Sequence, residues 1–292
     1  MPAMVDGAAT TTHGAEGPLG IVAGAGGLPW EAAAAIAPRR PVVVFAIDHE
    51  ADPVPQLGPG IAAHRFSYGQ LGRLRRLALD AKVRDVLLLG TVSTRPDFAA
   101  MVPDLETLRL LPRIVRSVVG GDDTIVRNLV AMIEEEGFRV VSVAEAVPEL
   151  LAAPGPVGRC LPGSAHAADI AMGVQYLEAS APFDVGQGVV VVEGRIVAVE
   201  GAEGTDAMLD RVAEVRARRR FRAAKGAGVL VKRAKRGQEM RTDVPVIGAA
   251  TLAGVVKAGL GGIAIEAGRT IVAERAAVAR AADKVGVFVV AQ

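Results

Sequence analysis

The chain has 292 residues, half of them apolar but only 3% aromatic, and a formal net charge of +1. Near neutrality gives no electrostatic case for nucleic acid, and the single cysteine, Cys160, excludes an internal disulfide and a cysteine-based metal cluster. No apolar run reaches the roughly 20 residues of a membrane span, so the expectation is two α/β domains built on small and β-branched residues.

Residues 1–17, rich in Thr, Gly and Ala, are expected to be a disordered tail in which His13 has no role. They lack the basic-then-apolar order of a secretion signal, and a reducing, cytoplasmic setting is expected. Residues 18–147 read as a first domain. Leu19 to Ala23 is an apolar strand that enters Gly24, Ala25, Gly26 and Gly27, followed by an alanine-rich helix from about Trp30. Strand, glycine turn and helix bring backbone N–H groups toward an anion. Pro29 stands where a dinucleotide fingerprint needs its third glycine, so the same turn also reads as a tight connection without a ligand. The second strand, Val42 to Ile47, ends at Asp48, His49 and Glu50. An acid there can take a ribose hydroxyl or simply close a polar strand end.

Gly69 to Val83 carries Leu71, Leu74, Leu77, Ala78 and Ala81 at helical spacing, with Arg73, Arg75 and Arg76 mostly on the solvated side. Asp85 to Leu89 is an apolar strand whose outgoing loop holds Arg95 and Asp97, at the end of a parallel strand where ligands bind. Leu105 to Val119 is helical with Pro112 inside it, and Asp122 and Asp123 read as caps of a further helix. Phe138 to Val143 closes the domain as a strand. Four strands with intervening helices predict a Rossmann-like parallel sheet.

Proline and glycine crowd residues 148–158, the expected linker, and residues 159–292 read as a second, distinct α/β domain with a ligand cleft between the two. A helix is expected from Ser164, with His166 and Asp169 one turn apart as either a functional or a surface pair. Two apolar strands, Val189 to Val192 and Ile196 to Val199, make a hairpin expected to be covered on both faces. The return strand runs into EGAEGTD. Glu200, Glu203 and Asp206 recur every third residue around a strand-to-helix turn, more carboxylates than a cap requires. Oxygen ligands of this kind suit a hard divalent cation, and Thr205 with the helix N–H groups suits a phosphate. The next helix ends in Arg216 to Arg222, a basic run that complements a helix C-terminus or touches an anionic membrane.

Gly226 to Gly248, GAGVLVKRAKRGQEMRTDVPVIG, then places Lys232, Lys235, Gln238, Arg241 and Asp243 in a loop between two apolar strands. Cations bind non-bridging phosphate oxygens, and a carboxylate orients or deprotonates a water, so the loop suits attack on a phosphoryl centre. A merely solvated connection is the other reading. Shorter strands and helices follow: Ala250 to Ala258, Gly262 to Ile265, Ile271 to Val272, Glu274 to Ala282 and Val285 to Val290. No nucleophile elbow, P-loop or HExxH motif is present.

GIVAGAGGLP, GDDTIVRNL, DVGQGVVVVEGRIVAVEGAEGTDAML, VLVKRAKRGQEMRTDVPVIG and GIAIEAGRTIV together resemble the LpxI-type UDP-2,3-diacylglucosamine pyrophosphatases, from about Leu19 to Val290. The resemblance implies Mg²⁺-dependent hydrolysis of UDP-2,3-diacylglucosamine to UMP and lipid X (2,3-diacylglucosamine 1-phosphate) in Gram-negative lipid A synthesis, with the lipid between the domains. It makes Asp243 the catalytic residue and a metal ligand, assigns Glu203 and Asp206 to the metal, and gives the diphosphate to Lys232, Lys235, Gln238 and Arg241. Thr205 would also contact phosphate, and Gly24, Gly26 and Gly27 would face the uridine. Arg236 departs from the proline expected after the second lysine. Implied partners are the substrate and its two products; peripheral contact with the inner membrane and a homo-oligomer stay open. Two other functions stay open: a nicotinamide-dependent oxidoreductase using the first domain, and a non-catalytic nucleotide-sugar or lipid-binding protein.

Overall fold

The computed structural model describes residues 17–92, 102–117, 122–183, 185–235 and 239–292. Residues 1–16 of the expected tail, Arg95, Asp97, Arg236 and Gln238 therefore lie outside the described residues, as do the side chains of Asp122 and Asp123.

The first half runs β1 (Leu19–Ala23), α1 (Leu28–Ile36), β2 (Val42–Ile47), β3 (Ile61–Phe66), α2 (Leu71–Asp80), β4 (Asp85–Leu89), α3 (Leu105–Ser117), α4 (Asp122–Glu135), β5 (Arg139–Val140) and α5 (Val143–Ala146). Its strands are parallel in the order β3-β2-β1-β4-β5, the order of a Rossmann-like sheet. Strand β3 is absent from the sequence expectation because an edge strand carrying His64 and Arg65 shows no apolar run. The last strand is shorter than expected. Ser142 and Glu145 form a capping box that turns the chain into α5.

The second half runs β6 (Gly155–Pro156), α6 (Ser164–Ser180), β7 (Gly188–Val192), β8 (Arg195–Val199), α7 (Gly204–Ala217), β9 (Val229–Lys232), β10 (Val246–Ile247), α8 (Ala249–Lys257), β11 (Gly262–Ile265), β12 (Ile271–Val272), α9 (Arg275–Val285) and β13 (Phe288–Ala291). A second sheet has the order β6-β13-β11-β9-β7-β8, with β13, β11 and β9 parallel and the outer strands antiparallel. Part of the expected linker, β6, is thus an edge strand of this sheet. The hairpin is less fully covered than expected: β7 is buried throughout, whereas β8 is an edge strand whose residues are mostly half-buried, with Arg195 exposed. Among the described residues no helix is long and apolar enough to cross a membrane.

The two-stranded ribbon of β10 and β12 joins the halves. Ile271 is fully buried in the core of the first sheet with Leu19, Ile21 and Leu87, and Val244 and Val246 pack against the same cluster. The segment following Asp243 is therefore built into the N-terminal core.

Candidate functional site

Strand register builds the site at the edge of the second sheet formed by the ends of β9, β7 and β8. Gly188 at the start of β7 pairs with Lys232 at the end of β9, and Glu200 at the end of β8 donates its N–H to the Gly188 carbonyl at 2.9 Å. Lys232, Glu200 and the N-terminus of α7 are thereby brought side by side. Lys232 Nζ donates to Thr205 Oγ1 at 2.8 Å, and that hydroxyl donates to Glu200 Oε1 at 2.9 Å. Among the described residues, the other Glu200 oxygen is buried without a hydrogen-bond partner. Burial lowers the Lys232 pKa, while Glu200, Asp206 and Asp243 oppose that shift through space. The site therefore holds one desolvated ammonium ringed by carboxylates.

Asp243 reaches this edge from the long loop between β9 and β10. Its N–H donates to the Glu239 carbonyl at 3.0 Å. Gln187, in the Gly-Gln-Gly run before β7, directs its amide at both Asp243 oxygens at 3.4 and 3.5 Å. Beside them lies a cavity of about 230 Å³ bounded by Leu177, Gln187, Arg233, Lys235, Glu266 and Arg269. Arg233 is bound to Glu266 at 3.2 Å, so Lys235 is the cation of the expected set that borders this cavity.

The expected residues separate into two groups. Asp206 and Asp243 both act on Lys232 through space, and Lys235 borders the adjoining cavity. Thr205 is buried and spends its hydroxyl between Lys232 and Glu200, so it orients the lysine instead of meeting a phosphate directly. Arg241 is committed to carboxylates: Nε and Nη2 donate to Glu239 at 2.9 and 2.8 Å, and Nη1 donates to Glu134 at 2.8 Å. Glu203 is exposed and paired with Arg211 at 2.5 Å.

Gly24 packs against the next strand's exit, since a Cβ there would lie 2.5 Å from the Thr91 carbonyl oxygen. Gly27 faces Glu274 of the second half, whose N–H donates to Glu31 at 3.0 Å. With Glu31 in the first turn of α1 and Glu274 opposite, the helix terminus already meets negative charge. The turn at Gly24, Gly26 and Gly27 thus suits a neutral nucleoside moiety better than a phosphate.

His166 and Asp169 do not form a pair. His166 bonds Gly163 and Gly226, and Asp169 accepts from the N–H groups of Glu193 and Gly194 at the hairpin turn. The basic run is also displaced from the site. It follows the C-terminal end of α7, whose 14 residues set it roughly 20 Å from Thr205. Arg216 is spent on the carbonyls of Ala258, Gly259, Ala223 and Ala224.

Among the described residues no group of three or more His, Cys, Asp and Glu side chains is gathered for a metal. A Mg²⁺ needs only one or two protein carboxylates when phosphates and water complete its octahedron. Asp206 and Asp243 are hard oxygen donors of the type such a site uses, and each acts through space on Lys232. Glu203 is turned to Arg211 instead.

Family comparisons agree along the chain. The model of the LpxI N-terminal domain matches residues 18–150, and that of the LpxI C-terminal domain matches residues 153–290. The chain is 40% identical over 272 residues to the UDP-2,3-diacylglucosamine pyrophosphatase LpxI of Caulobacter vibrioides, covering 93% of this chain and 96% of that one. The crystal structure of Bordetella bronchiseptica WbmG in complex with NAD is 17% identical over 44% of this chain and 37% of that chain, with a TM-score of 0.29, a likeness too slight to bear on fold or function.

Proposed function

The chain belongs to the LpxI family, and on that premise we propose that it hydrolyses the diphosphate of UDP-2,3-diacylglucosamine to UMP and 2,3-diacylglucosamine 1-phosphate in lipid A synthesis. The identity of 40% across 93% of the chain carries this reading. A desolvated Lys232 on which Asp206 and Asp243 act through space, with Gln187 directed at Asp243, supports it chemically.

In the proposed reaction Asp243 takes a proton from the attacking water, and Gln187 holds the carboxylate in place. The water oxygen bonds to the sugar-side phosphorus, the bond to the bridging oxygen breaks, and UMP leaves. Lys232, oriented by Thr205 and Glu200, binds a non-bridging oxygen and offsets its charge. Mg²⁺ bound by Asp206 and Asp243 would neutralise phosphate charge. Lys235 extends the positive field toward the neighbouring cavity. The acylated sugar brings the enzyme to the inner membrane surface, and the cleft, not the distant basic run, must face it.

Incubating the purified chain with UDP-2,3-diacylglucosamine, with and without Mg²⁺, tests the proposal. UMP release that requires the metal is expected. No UMP under either condition sinks the hydrolase, and cofactor-dependent stabilisation by NAD or NADP would then revive the oxidoreductase reading.

A further inference from the structure

Arg241 was expected at the diphosphate, yet every nitrogen of its guanidinium already donates to a carboxylate. The bond to Glu239 is the first cause of an Arg241 pKa held above its ordinary value. Two carboxylates around the guanidinium offset its charge and so weaken its pull on a diphosphate. Glu239 also closes the turn into the catalytic aspartate, because its carbonyl accepts from Thr242 N at 3.1 Å and from Asp243 N at 3.0 Å.

The second carboxylate, Glu134, comes from the other half of the molecule. Glu134 lies on α4, and Arg127, seven residues earlier and so on the same helix face, acts on Glu239 through space. The loop's exit is held by that half as well: Val244 and Val246 pack on its core, and Ile271 N donates to the Pro245 carbonyl at 2.8 Å. Asp243 thus sits between a charged anchor on one side and an apolar anchor on the other, both resting on the N-terminal half.

We propose that Arg241 is a positioning residue, a planar clamp between Glu134 and Glu239 that sets Asp243 from the N-terminal half, and not a ligand of the diphosphate. The proposal rests on the hydrolytic reading of Asp243. A guanidinium can bond two carboxylates in fixed directions, whereas an ammonium cannot reproduce that fork. Displacement of a reacting group by about 1 Å can cost roughly a hundredfold in rate.

The test uses the full chain and steady-state UMP release, with melting temperature followed throughout. Arg241→Ala is expected to lower kcat ten- to a hundredfold and Glu134→Gln about fivefold to tenfold, with KM within threefold of wild type. Arg241→Ala/Glu134→Gln should be no slower than Arg241→Ala alone, and Arg241→Lys should fail to restore kcat. A wild-type kcat in Glu134→Gln, or a tenfold rise in KM in Arg241→Ala that Arg241→Lys reverses, would overturn the clamp. If Arg241→Ala does not fold, Glu134→Gln decides by itself. If the wild-type chain releases no UMP, the hydrolase reading fails, but amide exchange still judges the clamp. Faster exchange at the Thr242 and Asp243 N–H groups in Glu134→Gln supports it, and unchanged exchange refutes it.

Discussion

Lys232 and Thr205 meet at 2.8 Å, and the threonine hydroxyl is occupied on both sides, as acceptor from the lysine and donor to Glu200. The hydroxyl is therefore the hinge between a desolvated ammonium and a carboxylate at the edge of the second sheet. Thr205→Val keeps the side-chain shape but removes both bonds. Leaving charged groups unpartnered costs about 1.5–3 kcal/mol, so kcat/KM for UMP release should fall about 10- to 100-fold. Thr205→Ser retains the hydroxyl and should remain within about threefold. Equal kcat/KM in wild type and the valine variant would remove the hinge from the mechanism.

How much of this was legible in the sequence depends on distance along the chain. Strands such as Leu19–Ala23, Val42–Ile47 and Gly262–Ile265 are visible because burial on both faces demands continuous apolar runs. Ile61–Phe66 is hidden because an edge strand tolerates polar residues. At the site, charge type marks the loop from Lys232 to Asp243, and the family resemblance picks Asp243 out of it. They cannot show that Glu134, more than a hundred positions away, takes Arg241, nor that Arg211 takes Glu203. Gln187 was legible only as part of a glycine-flanked motif. Its aim at Asp243 is set by the β7–β9 register.

Asp243→Asn should keep fold and substrate binding but lose the proton acceptor. A positioned general base contributes about 10²- to 10⁴-fold, and a loss of that size is expected in kcat, with KM changed little. UMP release near the wild-type rate would exclude Asp243 as the base.

Gly186→Ala tests the support beneath Gln187. A Cβ at Gly186 would lie 2.5 Å from Glu200 Cγ and 2.6 Å from the Glu200 carbonyl oxygen, so backbone as well as side chain must give way. Overpacking of this kind costs about 1–3 kcal/mol. A lower midpoint of urea unfolding and a lower kcat are expected together. An unchanged midpoint would mean that the strand entry yields without strain.

Asp85 provides a pH-dependent test of the fold away from the site. Its carboxylate is buried at the base of β4 and accepts from Arg139 Nε and Arg40 Nη2, each at 2.8 Å. Burial alone raises its pKa, but bonds and charge from Arg139 and Arg40 outweigh burial and hold it below the ordinary value. The carboxylate therefore releases its proton more readily folded than unfolded, and the resulting stability is present above the unfolded pKa of about 4. It is lost as pH falls through the lower, folded pKa. Asp85→Asn abolishes the ionisation and removes the negative charge that Arg40 and Arg139 meet there, an effect of about 3 kcal/mol for a broken buried pair. Urea unfolding at pH 7 should show that gap between wild type and variant, and unfolding well below pH 4 should show it shrinking. A gap that stays constant across this range would mean that Asp85 acts through shape and neutral hydrogen bonding, not through charge.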